Sequence, residues 1–207
     1  MIVAVDVDDP GSAVPRAVEV LRRGGVVGLP TDTVYGLAAL PSVAGAVGRL
    51  FELKGRAVDA PVAVLCADVG QALGLAAGER VSEEVRRMAG RLWPGPITLV
   101  LPRRADLGYE LGNPPTTVGV RCPDHPVVRA VAAEVGPIAT TSANIHRGPT
   151  PDTAEGVAAL FGDRLPLVLD GGTCAAPPST VVDTTGPAWR VLREGAVTLT
   201  EIEAAAR

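Results

Sequence analysis

Aromatic residues make up only 3% of the 207 residues, with two each of Trp, Tyr and Phe. A core must therefore be assembled from Val, Leu and Ala, which dominate a hydrophobic content of 47%. Cysteine is scarce too. Cys66, Cys122 and Cys174 are odd in number and far apart, which argues against a disulfide framework or a metal knuckle. Two histidines, His125 and His146, are too few for a His-rich metal site. No apolar run approaches the ~20 residues of a membrane-spanning helix. Met1-Ile2-Val3 leads into Asp6-Val7-Asp8-Asp9 without the charged head and apolar stretch of a signal peptide, so a cytoplasmic protein is the expectation. A basic excess is also missing: 19 Lys and Arg against 23 Asp and Glu leave a net charge of -4. That balance argues against general nucleic-acid binding and leaves room for a local basic cleft.

What is present reads as one domain, residues 1–207, with neither internal repeats nor a low-complexity linker. The patterning predicts a helix over Ser12–Arg23 with Ser12 as N-cap, a strand at Val26–Leu29, a helix over Ser42–Leu53 and a strand at Pro61–Cys66. It then predicts a helix over Ser82–Trp93 and strands at Ile97–Pro102 and Thr116–Pro123. The second half continues with a helix over Pro126–Val135 and a strand at Ile138–Thr140. A helix capped by Asp152 runs to Phe161. Strands follow at Leu167–Leu169, Thr180–Asp183 and Arg190–Arg193, then a terminal helix capped by Thr200. Strands and helices interleave while some strands are adjacent, which means an α/β domain with a mixed sheet.

In such sheets ligands gather where strands run out into loops. Several strand ends here carry polar or cationic groups: Thr31-Asp32-Thr33, Lys54-Gly55-Arg56, Arg121, Thr140–Asn144, Pro177–Thr180 and Val191–Gly195. Cations that neutralise oxygens, with hydroxyls and amides that donate hydrogen bonds, are what a polyphosphate requires. The common phosphate fingerprints, G-x-x-x-x-G-K-[ST] and G-x-G-x-x-G, are absent, as is a G-x-S-x-G elbow. Singly, each segment has a plain reading: a cap, a solvated helix end, a turn or an edge strand. These residues alone lead to an α/β domain that binds a small anion.

The segments "LPTDTVYGL", "LKGR", "WPGPITLVLP", "VGVRCPDHP", "TSAN", "STVVD" and "LREGAV" occur in this order between Pro15 and Ile202. Together they resemble the YrdC-like family of threonylcarbamoyl-AMP synthases in its short, catalytic-domain-only form. The resemblance implies an α/β, YrdC/RibB-like twisted mixed sheet flanked by helices, with an open concave substrate cleft. It implies an enzyme that converts L-threonine, bicarbonate or CO2, and ATP into threonylcarbamoyl-AMP and pyrophosphate, with Mg2+ carried by the ATP. The adenylate would pass to a downstream tRNA threonylcarbamoyltransferase complex, and weak RNA binding in the cleft remains open.

By motif position, Lys54 and Arg56 match the pair facing the nucleotide phosphates and are the catalytic candidates. Thr117, Ser142, Asn144 and Arg193 match further ATP-side positions. Arg121 matches the arginine that grips the amino-acid carboxylate, and Thr33, Thr140 and Ser179 lie on the threonine side. The role of Asp32 stays open. Three positions depart from the common pattern: Ala57, Ala60 and Leu65 stand where many members have Pro, Asn and His. The loop Ile145-His146-Arg147 also differs, and Arg147 is either a phosphate contact or an exposed loop residue. Two rival readings stand beside the synthase: an RNA-binding or regulatory paralogue, and a carbamoyl-adenylate former with another acceptor. The missing CxxC pair counts against the zinc-bearing chains that house the latter.

Overall fold

The computed structural model describes residues 1–5, 13–55, 60–145 and 148–207. In chain order the elements are β1 (Ile2–Ala4), α1 (Ala13–Arg22), β2 (Val27–Leu29), β3 (Gly36–Ala39), α2 (Ala46–Lys54), β4 (Ala63–Leu65) and α3 (Val69–Leu73). There follow α4 (Glu83–Leu92), β5 (Ile97–Pro102), β6 (Thr117–Arg121), α5 (Pro126–Val135), β7 (Ile138–Ser142) and α6 (Ala154–Phe161). The last are β8 (Leu167–Asp170), β9 (Thr180–Asp183), β10 (Arg190–Arg193) and α7 (Leu199–Ala206).

The strands join one ten-stranded sheet in the order β1-β8-β2-β3-β7-β4-β6-β5-β9-β10. Pairing is mixed: β4 lies parallel to β6 and β5 to β9, whereas β3–β7, β4–β7 and β5–β6 are antiparallel. This is the α/β mixed sheet flanked by helices that the sequence predicts.

Several bounds differ from the sequence reading. Ser12, the expected cap of α1, lies outside the described residues. The second helix begins at Ala46, not Ser42, behind a left-handed Gly45 with φ 74° that offers no side-chain cap. Helix α6 is capped by Thr153, which accepts from the Gly156 N–H, and not by Asp152. Thr198, not Thr200, caps α7 in a capping box with Glu201. Strands β1 and β3 were not foreseen.

Alternation along the strands splits the sheet into two faces. Leu37, Val64, Leu99, Val120, Ala139 and Val182 belong to the larger core, with residues of α2, α4, α6 and α7. The opposite face is covered at one end, where Val27, Leu29, Ala38 and Ile138 pack with α1 and α5. Farther along this second face the strands expose Gly36, Ala63, Leu65, Thr98, Thr117, Gly119, Arg121, Thr140, Ser142 and Val181 to a cleft of about 540 Å³. The cleft is the portion of the face that α1 and α5 leave uncovered.

Candidate functional site

The cleft floor is paved largely by small residues, and this small size is a geometric requirement at Gly36. A Cβ there would lie 2.8 Å from Thr140 Cγ2 on the neighbouring strand. Along β6, Thr117, Gly119 and Arg121 line the cleft at alternate positions, so its two polar ends stand about 13 Å apart. Polar groups collect at both ends.

At one end sits Arg121, only 5% exposed. Its Nε donates to the Gly95 carbonyl at 3.1 Å, and Nη1 donates to Thr33 Oγ1 at 3.0 Å. Its Nη2 forms an ion pair with Asp32 Oδ1. The charged residue in an otherwise apolar strand thus has partners from two loops. The turn that supplies them is locked by Thr31. Thr31 Oγ1 accepts from the Thr33 and Val34 N–H groups, both at 3.1 Å, and donates to the Val34 carbonyl at 2.6 Å. Tyr35, fully buried, anchors the following strand from behind by donating its hydroxyl to the Gly172 carbonyl at 2.8 Å. Burial raises its pKa, so the phenol stays protonated. Its role is structural.

The second polar group forms where α2 meets the end of β7. Lys54 is the last residue of α2, a position where a lysine usually reaches water and interacts with the helix dipole. Here it is 3% exposed. Its Nζ donates to the Ser142 carbonyl at 2.6 Å and to Asn144 Oδ1 at 2.7 Å. Ser142 Oγ donates to the same Asn144 oxygen at 2.6 Å, and Asn144 Nδ2 donates to the Gly148 carbonyl at 2.6 Å. Lys54 is therefore not a solvated helix end. Gly55, with φ 61°, terminates the helix and turns the chain beside the site.

A third group lies beside the first. Arg193, at the end of β10, donates through Nε and Nη2 to the Ser179 carbonyl, at 3.2 and 2.7 Å, and through Nη2 to Ser179 Oγ at 3.2 Å. Ser179 Oγ lies 3.0 Å from Thr98 Oγ1. Partial burial, then the nearby Arg121 charge, lower the pKa of Arg193. Two guanidinium groups converge on this part of the cleft.

Of the residues singled out in the sequence, Thr33, Thr117, Arg121, Thr140, Ser142, Ser179 and Arg193 line the one cleft. Lys54 and Asn144 are bound to Ser142 at its edge. Arg56 and the His146-Arg147 pair lie outside the described residues, as does Ala57. Leu65 faces the cleft, and Ala60 packs against the larger core instead. Sequence reasoning missed Thr98, although its place as the polar alternate in "ITLVLP", between the buried Ile97 and Leu99, was a usable signal. It also left Asp32 without a role. No pattern in the sequence pairs Asp32 with Arg121, because 89 residues separate them.

Comparison with known proteins places this chain in a family. The family described as telomere recombination, Sua5/YciO/YrdC, matches residues 19–195. The threonylcarbamoyl-AMP synthase of Pyrococcus abyssi is 40% identical over 185 residues, 88% of this chain, which spans 54% of that protein's length. A relative from Mycobacterium tuberculosis is 37% identical over 198 residues, covering 95% of this chain and 90% of the relative. Among solved structures, P. abyssi Sua5 complexed with L-threonine is 36% identical with a TM-score of 0.90, covering 99% of this chain and 60% of that one. The matched span runs from α1 to the loop after β10 and takes in every strand of the cleft: the chain belongs to the Sua5/YciO/YrdC family.

Proposed function

We propose that this chain is an L-threonylcarbamoyladenylate synthase forming a single catalytic domain. It would join L-threonine, bicarbonate or CO2, and ATP into threonylcarbamoyl-AMP, with release of pyrophosphate. The observation that carries this reading is the pairing, in one cleft, of a clamped guanidinium with a separate Lys54–Ser142–Asn144 cluster. The first suits an amino-acid carboxylate and the second suits a nucleotide. Arg56 is assigned to the phosphates from its place beside Lys54 in the sequence.

The chemistry asks little of side chains beyond placement and charge. Threonine's amine takes up CO2 as a carbamate, and a carbamate oxygen then forms a bond to the α-phosphorus of ATP. The bond from that phosphorus to the bridging oxygen breaks, and pyrophosphate leaves. Holding the carbamate and the triphosphate in line removes much of the entropic barrier. Fixed donors from Lys54 and its neighbours offset the developing charge. A divalent cation, Mg2+, would arrive on the ATP. Among the described residues there is no cluster of three or more His, Cys, Asp or Glu to hold it. Phosphate oxygens and water are the usual ligands of Mg2+ in that setting.

The adenylate would be consumed by a tRNA threonylcarbamoyltransferase complex in the cytoplasm; no helix among the described residues is long and apolar enough to cross a membrane. The deciding experiment measures pyrophosphate release with ATP, Mg2+ and bicarbonate against each amino acid in turn. L-Threonine should give the highest kcat/KM, and excess chelator should abolish the signal. Leu65, facing the cleft where many family members have His, makes the full amino-acid panel necessary. A higher kcat/KM with another amino acid would move the substrate assignment, and release that needs no amino acid would overturn it.

A further inference from the structure

Asp32 emerges from the turn that Thr31 closes upon itself, and it meets Arg121 at the end of β6. Among the described residues each of the three guanidinium nitrogens has one acceptor: Gly95 O on Nε, Thr33 Oγ1 on Nη1 and Asp32 Oδ1 on Nη2. A guanidinium carries five N–H groups, so one is left on each terminal nitrogen. Those two N–H groups are what the described residues leave for a ligand. The second oxygen of Asp32, Oδ2, is shut off from solvent and meets no donor among the described residues. Its side chain is 13% exposed and that of Arg121 6%. One carboxylate oxygen is thus committed to Arg121, and Asp32 itself is not among the residues that line the cleft.

We propose that Asp32 is the positioning residue of the amino-acid site: it fixes the Arg121 guanidinium in the cleft while one N–H on each terminal nitrogen stays available to a substrate carboxylate. The proposal rests on the reading of this cleft as the amino-acid site. Charge balance points the same way. Arg121 and Arg193 stand close enough for the first to lower the pKa of the second. With Asp32 the trio carries one net positive charge, matched to one carboxylate. A purely structural ion pair would explain the burial. It would not predict a change in threonine binding when Asp32 is altered.

The test compares Asp32→Asn, Asp32→Ala and Asp32→Glu with the unaltered protein. One readout is the Arg121 side-chain 15Nε–1Hε resonance, assigned by its loss in Arg121→Lys. The other is calorimetric binding of L-threonine and of ATP, measured separately. Asparagine keeps an oxygen acceptor, so the resonance should persist and threonine affinity should stay within about threefold. Alanine should accelerate exchange of the Nε proton and weaken threonine binding about tenfold or more, the cost of an unfixed charged hydrogen bond. ATP affinity should stay within about threefold in each variant. Asp32→Glu keeps the charge but displaces the acceptor by a methylene. It too should weaken threonine, whatever the fate of the alanine variant's fold.

An unchanged resonance and unchanged threonine affinity in Asp32→Ala, or in Asp32→Glu where the alanine variant does not fold, would overturn the proposal. So would Asp32→Asn losing threonine as severely as Asp32→Ala with the resonance intact, since that would put the Asp32 charge on the substrate ammonium. Unaltered protein that binds ATP but no threonine would instead sink the activity reading. The resonance comparison would still decide the role of Asp32.

Discussion

Replacing Arg121 by lysine separates charge from geometry, and the structure sets the size of the effect. Three protein acceptors surround the guanidinium: Gly95 O, Thr33 Oγ1 and Asp32 Oδ1. Lysine carries three N–H donors and arginine five. A lysine that satisfied the same acceptors would have none left for substrate, whereas arginine keeps two. Each charged hydrogen bond is worth about 1.5–3 kcal/mol. The retained ammonium charge recovers part of the double loss, which leaves roughly one bond's worth, a ten- to hundredfold rise in the threonine concentration for half-maximal rate. ATP dependence should hardly move, because Lys54, Ser142 and Asn144 are untouched. Arg121→Ala goes further. It strands the Asp32 carboxylate and should cost about 3–5 kcal/mol of stability, read as a lowered denaturant midpoint. The assay is initial-rate pyrophosphate release with threonine and ATP varied independently. If Arg121→Lys raises the KM for ATP and leaves threonine dependence intact, the two ends of the cleft have been assigned the wrong way round.

Lys54→Met keeps the aliphatic stem and removes the ammonium that binds Ser142 O and Asn144 Oδ1; ATP-dependent turnover should fall about ten- to a hundredfold with the fold intact by circular dichroism. Because Lys54 and Asn144 share a bond, combining Lys54→Met with Asn144→Ala should cost less than the sum of the two; strict additivity would show that they do not act as a unit. Gly36→Ala places a methyl 2.8 Å from Thr140 Cγ2. It should destabilise the protein by about 1–3 kcal/mol and weaken threonine more than ATP; a variant with unaltered melting and kinetics would refute the close-approach argument. His125 is buried, and desolvation holds its pKa below 6.5 although Asp32 and Asp124 pull the other way. The unfolded chain therefore takes up this proton first. Stability should be full above 6.5 and decline as pH falls through the depressed folded value, and His125→Gln should flatten that decline in melts recorded across the range.

Local pattern sufficed wherever a segment's own residues decide its state. Strands β5, β9 and β10 and helix α5 occupy the spans that alternation, helical periodicity and Pro126 at the first helical turn predict. Strand β3 was not legible. Gly36-Leu37-Ala38-Ala39 has no β-branched residue, and its extended state is imposed by β2 and β7 on either side. The misplaced caps have a related cause. Asp152 and Thr153 are adjacent acceptors of similar capping strength, as Thr198 and Thr200 are near neighbours, and the backbone path chooses between them.

At the site the same division holds. That Arg121 needs a partner follows from its place in a strand of Val and Gly; which partners it has follows only from the folded loops that carry Gly95, Asp32 and Thr33. Strands β6, β5 and β9 lie side by side. This order brings Arg121 and Thr98 together with Ser179, and β10 then delivers Arg193 onto Ser179. By resemblance Ser179 is a threonine-side candidate and Arg193 a nucleotide-side one, and the two sets of candidates interleave along the chain. In the folded cleft these two meet, since Arg193 donates to the Ser179 carbonyl and Oγ. A sequence can place each residue at a strand end, but which of them touch is decided by which strands are neighbours. Charge in the cleft is shared in the same way: Asp32 offsets only one of the two converging guanidinium groups, and the remaining positive charge is available to the first substrate carboxylate that enters.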